Sequence, residues 1–133
     1  MATIPVLSAG FGEGHNAAAR AVVEALGRRH GGALAARFHD LFLEAYGEAR
    51  FRRQRELYLT VANRHPRLWG LAYHALDRLP VVRCSLPFLR PVARRLRAVV
   101  AETRPPVVVS TYPLYGHFLG PGPGRPRLIT VVT

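Results

Sequence analysis

The sequence predicts an α/β domain, a Rossmann-like parallel sheet flanked by helices and carrying a basic helical insert. Three observations lead there. An apolar run ends in a glycine-rich turn that opens a helical pattern, a second apolar run follows that helix, and a long helical stretch ends at Pro105-Pro106 before a third run, Val107 to Ser110. With 133 residues, 49% of them hydrophobic and 20% charged, the chain suits one domain able to bury a core.

Thr3 to Ser8 is apolar with β-branched residues and stops at Ala9-Gly10-Phe11-Gly12-Glu13-Gly14, whose glycines demand a tight turn. Pro5 removes a ladder donor from this strand. From His15 the pattern turns helical, with Ala18, Val22, Ala25 and Leu26 on one face and Gly31-Gly32 as the stop. Ala33 to Phe38 then closes a βαβ unit, which implies parallel pairing. Leu41 to Thr103 reads as helical, broken at His65-Pro66 and between Pro80 and Pro87. Its last helix sets Leu89, Val92, Leu96, Val99 and Val100 on one face and Arg90, Arg94 and Arg97 on another. After Val107 to Ser110 come the loops Thr111 to His117 and Pro121 to Gly124. A final β-branched run, Leu128 to Val132, is expected to continue into a loop and helix beyond Thr133.

Nineteen basic residues, all arginine, against eight acidic ones give a net charge of +11, which points to an anionic partner. The charge is localised: residues 48–97 hold 12 arginines against Glu48, Glu56 and Asp77. Cys84 is the single cysteine, so neither an internal disulfide nor a cysteine-cluster metal site is expected. The first residues lack a basic stretch ahead of an apolar run and do not read as a signal peptide. The uncharged stretch 105–124 contains nine Pro or Gly residues, too many for a spanning helix, so membrane association is expected to be peripheral.

Gly10 to His15 lies between strand and helix, where backbone N–H groups and the helix end favour an anion. The spacing is not that of a P-loop. Gly12 to Ala17 fits a dinucleotide fingerprint weakly, with only Asp40 available as the acidic residue closing the next strand. A plain βα turn explains the same glycines. His15 stands at a strand's carboxyl edge, where ligands bind in open α/β sheets, and has the chemistry of a general base; a capping or solvent-exposed ring is the alternative. His117 follows another strand end on the same edge, whereas His30, His39, His65 and His74 show no metal-ligand spacing. Arg64, Arg67, Arg78 and Arg83 flank an apolar helix bearing Trp69 and Tyr73, the composition of an interfacial membrane-binding element. Packing of Trp69 and Tyr73 into a core or subunit contact is the alternative there.

Taken in order, Leu7 to Ala19, the segment from Tyr58-Leu59 to Trp69-Gly70, Val107 to Pro113 and Thr130 to Thr133 resemble the N-terminal domain of the monogalactosyldiacylglycerol synthase and processive diacylglycerol glucosyltransferase family. The resemblance implies the N-terminal half of a GT-B glycosyltransferase, with residues 1–133 as a single acceptor-binding domain and the UDP-sugar-binding domain outside this chain. It implies an inverting transfer of a hexose from a UDP-sugar, the donor substrate, to diacylglycerol, with no further cofactor and no metal. His15 is then the base, Gly12, Glu13, Gly14 and Asn16 shape the acceptor pocket, and Tyr112, Pro113 and His117 line the facing edge. The implied partners are diacylglycerol or a related lipid, an anionic membrane surface and a donor domain on this or a separate chain. The implied place is the cytoplasm, peripherally on the cytoplasmic face of the plasma membrane. The chain alone is expected to be inactive, because in-line transfer needs both halves of the cleft.

Two rivals remain at this level. A non-catalytic basic module for nucleic acid or anionic surfaces rests on charge alone, and without a helix-turn-helix, RRM signature or zinc finger nucleic acid is not expected. Nucleotide binding at the glycine turn is the other.

Overall fold

The computed structural model describes residues 1–78, 87–120 and 122–133. The first apolar run forms β1 (Ala2–Ser8), and the glycine turn leads into α1 (Glu13–His30) and then β2 (Leu34–Asp40). β2 pairs parallel with β1 in a register running from Ala2↔Leu34 to Ser8↔Asp40. It extends past Phe38 to Asp40, so Asp40 ends the strand and caps the next helix. Pro5 is accommodated because pairing of β1 with β3 (Val107–Ser110) begins one residue later, at Val6↔Val109. β3 pairs in turn with β4 (Arg127–Thr130), giving the all-parallel order β2-β1-β3-β4.

The helical stretch resolves into α2 (Leu41–Tyr46), α3 (Glu48–Arg64) and α4 (Pro66–Arg78), then a 3-10 turn at Pro87–Leu89 and α5 (Arg90–Thr103). Besides the proline at position 66, a break occurs that sequence periodicity misses. Gly47 takes φ 80 between α2 and α3, a left-handed angle that glycine adopts without strain. Pro80 and the segment up to Leu86 lie outside the described residues. The stretch 113–119, expected as loop, is a 3-10 turn (Pro113–Tyr115) followed by α6 (Gly116–Leu119). Pro113 starts that turn because its fixed φ suits a helical first position.

Alternation along the strands sends side chains to two cores. Ile4, Val6 and Val109 pack with Ala19, Val22, Val23 and Leu26 of α1 on one face. On the other, Leu7 and Val108 pack with Leu41 and Phe42 of α2, Val92, Leu96 and Val99 of α5, and Tyr115. The predicted apolar face of α5 is therefore the buried one, with Arg90, Arg94 and Arg97 exposed. On α1, Ala25 is exposed and Asn16 and Ala19 are the buried positions, so its core face is rotated from the one the periodicity picks. β4 stands at the open edge with all four residues exposed.

Candidate functional site

In this strand order β1 has β2 on one side and β3 on the other, with both connections leaving from carboxyl ends. The crevice above the ends of β1 and β3 is the topological switch point, the usual ligand position in open parallel sheets. Three bonds fix its floor. Thr111 N–H donates to the Leu7 carbonyl at 3.0 Å, the buried Tyr115 hydroxyl donates to the Ser8 carbonyl at 2.6 Å, and the Ser8 hydroxyl donates to Asn16 Oδ1 at 2.7 Å. Thr111 Oγ1 lies 3.1 Å from the Leu7 carbonyl oxygen and 3.0 Å from that of His15, joining both strand ends to the start of α1.

His15 sits half-buried on this floor. Its Nδ1 is 2.7 Å from the Thr111 carbonyl oxygen, and Thr133 Oγ1 is 3.2 Å from the same nitrogen. A carbonyl oxygen only accepts, so the neutral ring carries its proton on Nδ1 and its lone pair on Nε2. Tyr112 stands edge-on beside it, ring centroids 5.3 Å apart, and also touches Phe42 and Tyr115. The site thus joins a residue of the glycine turn to residues nearly a hundred positions later.

The turn glycines divide by role. A Cβ at Gly10 would lie 2.4 Å from Asp40 Oδ2 and 3.1 Å from Phe51 Cζ, so the fold itself demands glycine there. At Gly12 and Gly14 a Cβ would meet nothing within 4 Å, so bare backbone at these positions serves no internal packing. Gly12 precedes α1, whose first turn has no side-chain cap. Asp40 does not present its carboxylate to the crevice as a ribose reader would. Burial raises its pKa, while backbone N–H groups of Leu43, Gly10 and Phe42 bind the charged form, so it bolts the turn to α2. Burial likewise raises the Tyr115 phenol well above its ordinary value, reinforced by the nearby Asp40 charge, and keeps it a donor.

Of the other residues singled out from sequence, Glu13 is exposed and paired with Arg55 of α3 at 3.3 Å. Asn16 is buried behind the turn, holding Ser8 rather than facing the opening. Pro113 and His117 are exposed on the segment after β3. Arg64 and Arg67 are exposed where α3 meets α4, whereas Trp69 is half-buried, edge-on to Tyr58 at 4.7 Å. Tyr73 and Arg78 belong to α4, and Arg83 lies outside the described residues. Thr111 and Tyr115 were not singled out from sequence; the Ser-Thr-Tyr run leading into Pro113 was the only signal near them. Among the described residues no three His, Cys, Asp or Glu side chains gather as a metal set, and no helix is long and apolar enough to cross a membrane.

Helices on both faces of an all-parallel sheet, with a histidine-bearing crevice at the switch point, make this domain a Rossmann-like half of the GT-B type. Residues 15–133 match the family described as Monogalactosyldiacylglycerol (MGDG) synthase, and the chain belongs to that family. No curated protein and no solved structure matches it. Family membership places the domain among the glycosyltransferases of glycolipid synthesis, enzymes that act on a lipid acceptor such as diacylglycerol.

Proposed function

We propose that this domain binds the lipid acceptor, diacylglycerol or a close relative, for inverting transfer of a hexose from a UDP-sugar, with His15 as the general base. The observation that carries this is the Nδ1 bond to the Thr111 carbonyl, which orients the ring and leaves Nε2 as the proton acceptor. In the transfer Nε2 takes the acceptor hydroxyl proton as that oxygen bonds the anomeric carbon. The bond from that carbon to the UDP oxygen breaks, and its electron pair leaves with UDP. The open backbone at Gly12 and Gly14 supports close approach of the acceptor's polar head. Tyr112, Pro113 and His117 form the facing wall in this reading, and the UDP-sugar is bound mainly outside these residues. The enzyme works at an anionic membrane surface on the cytoplasmic side, held there by the arginines of α3 and α4.

The test is His15→Ala in a two-domain form of the enzyme. Loss of a general base lowers kcat by about 10² to 10⁴, while UDP affinity stays near parental. His117→Ala costs less, because that ring is exposed on α6. A parental kcat in His15→Ala, with the circular dichroism spectrum intact, would return His15 to a merely capping ring.

A further inference from the structure

From the base a line of aromatic rings runs toward the basic insert. His15 meets Tyr112, Tyr112 meets Phe42 at 6.0 Å, and Phe42 meets Phe11 at 4.7 Å. Phe11 meets Tyr58 of α3 at 5.3 Å, and Tyr58 meets Trp69 of α4. Phe42 is buried beneath the line, while Tyr112, Phe11, Tyr58 and Trp69 are each half-exposed. The same two helices expose Leu57, Leu68 and Leu71 by 67%, 57% and 70%, and exposed Arg64 and Arg67 line a shallow surface with Leu68 where the helices meet.

Phe11 explains how the line is continuous. It lies in the glycine turn and packs on Phe42 and Phe51, so the turn that presents bare backbone at Gly12 also supplies the first ring beyond the site. We propose that this strip, Tyr112, Phe11, Tyr58 and Trp69, holds an acyl chain of the lipid acceptor between the membrane surface and His15. The proposal rests on the acceptor-binding reading above. Its occupant has a polar head at an uncapped helix start, an apolar tail along half-exposed rings and an anionic surround met by arginines, which is the chemistry of an amphiphile at an anionic bilayer. Aromatic faces suit a chain of variable structure, because they offer area without hydrogen-bond demands. Tyr58 and Trp69 thereby become determinants of chain preference, and exposed Leu57, Leu68 and Leu71 the contact with the bilayer.

Trp69 is the only tryptophan in the sequence, so its fluorescence reports on the far end of the strip. The purified chain is titrated, without vesicles, with dihexanoylglycerol and dioctanoylglycerol, calorimetry giving affinity and Trp69 emission giving location. Both lipids bind and shift the emission to the blue, the longer one about tenfold more tightly, since two added methylenes enter apolar contact. Tyr58→Ala reduces that ratio to about threefold or less. Phe11→Leu, which keeps apolar volume over Phe42 and Phe51, does the same and guards against a Tyr58→Ala chain that fails to fold. Binding without dependence on chain length, or an unchanged ratio in both variants, overturns the strip and leaves the acceptor reading standing. If neither lipid binds, the acceptor reading itself falls and the strip with it. Shielding of Trp69 that follows protein concentration instead of lipid assigns the strip to a contact between copies and also overturns it.

Discussion

Gly10 and Gly14 stand four residues apart and answer to different constraints. At Gly10 the carboxylate of Asp40, bound to Gly10, Phe42 and Leu43 N–H groups, occupies the space a methyl would need. Gly10→Ala is expected to destabilise the domain by about 1–3 kcal/mol, the range for overpacking a filled interior. Gly14 lies in the first turn of α1 with open space around it, so Gly14→Ala gains helix preference and raises stability by up to about 1 kcal/mol. Urea unfolding of both variants checks this pair of signs. If acceptor approach explains the bare backbone, the stabilised Gly14→Ala chain binds diacylglycerol more weakly. Equal binding would leave Gly14 with no role beyond the turn.

α2 has six residues and would not persist alone, so its position depends on what holds it. Asp40 caps it, and Glu44 reaches Arg95 of α5 at 2.8 Å and His39 of β2 at 2.8 Å. Burial works to raise the Glu44 pKa, but the bonds from His39 and Arg95 outweigh it and hold it below its ordinary 4.5. A carboxylate with a lowered folded-state pKa contributes stability above its unfolded value, and that contribution disappears as pH falls through the lowered one. Glu44→Gln is therefore expected to lower Tm at pH 7 and to match the parent near pH 2. The effect stays below about 1 kcal/mol because the pair is partly solvated. Melting curves at the two pH values decide it, and an equal gap at both would show that Glu44 acts through packing. Asp40 has the opposite sign: its raised pKa means that stability is lost as pH rises from 3.8 through the folded value.

At the scale of the molecule the charge is unevenly placed along the chain, with 12 of the 19 arginines in residues 48–97, between the two strands whose carboxyl ends bound the site. Exposed Arg64 and Arg67 beside exposed leucines are expected to bind the domain to vesicles containing phosphatidylglycerol. Each basic side chain near the surface adds about 1 kcal/mol, and the attraction weakens as salt shortens the Debye length. Replacing Arg64, Arg67, Arg78 and Arg83 together with Gln should release it in a sedimentation assay. Undiminished sedimentation of the quadruple variant would make these arginines a solvated face.

Local order was legible in the sequence because it is written in local periodicity. The β1, glycine turn, α1 and β2 unit and the buried face of α5 follow from alternation, from spacing near 3.6 residues and from Gly and Pro as stops. Their parallel arrangement follows from connection length, and His15 from its place at a strand end. The Gly47 break and the helical turns at 113–119 escaped, since the helical pattern on either side hides a one-residue break and Pro113 with Gly116, just ahead of the Gly- and Pro-rich run at 120–124, read as loop. Tertiary structure alone decided the chemistry of the site. Which imidazole nitrogen is protonated depends on a carbonyl 96 residues away, and the strand ends are tied by hydroxyls of Thr111 and Tyr115 over separations of 104 and 107 residues. Parallel pairing brings those atoms together, and no local pattern records which side chain meets which carbonyl across a sheet.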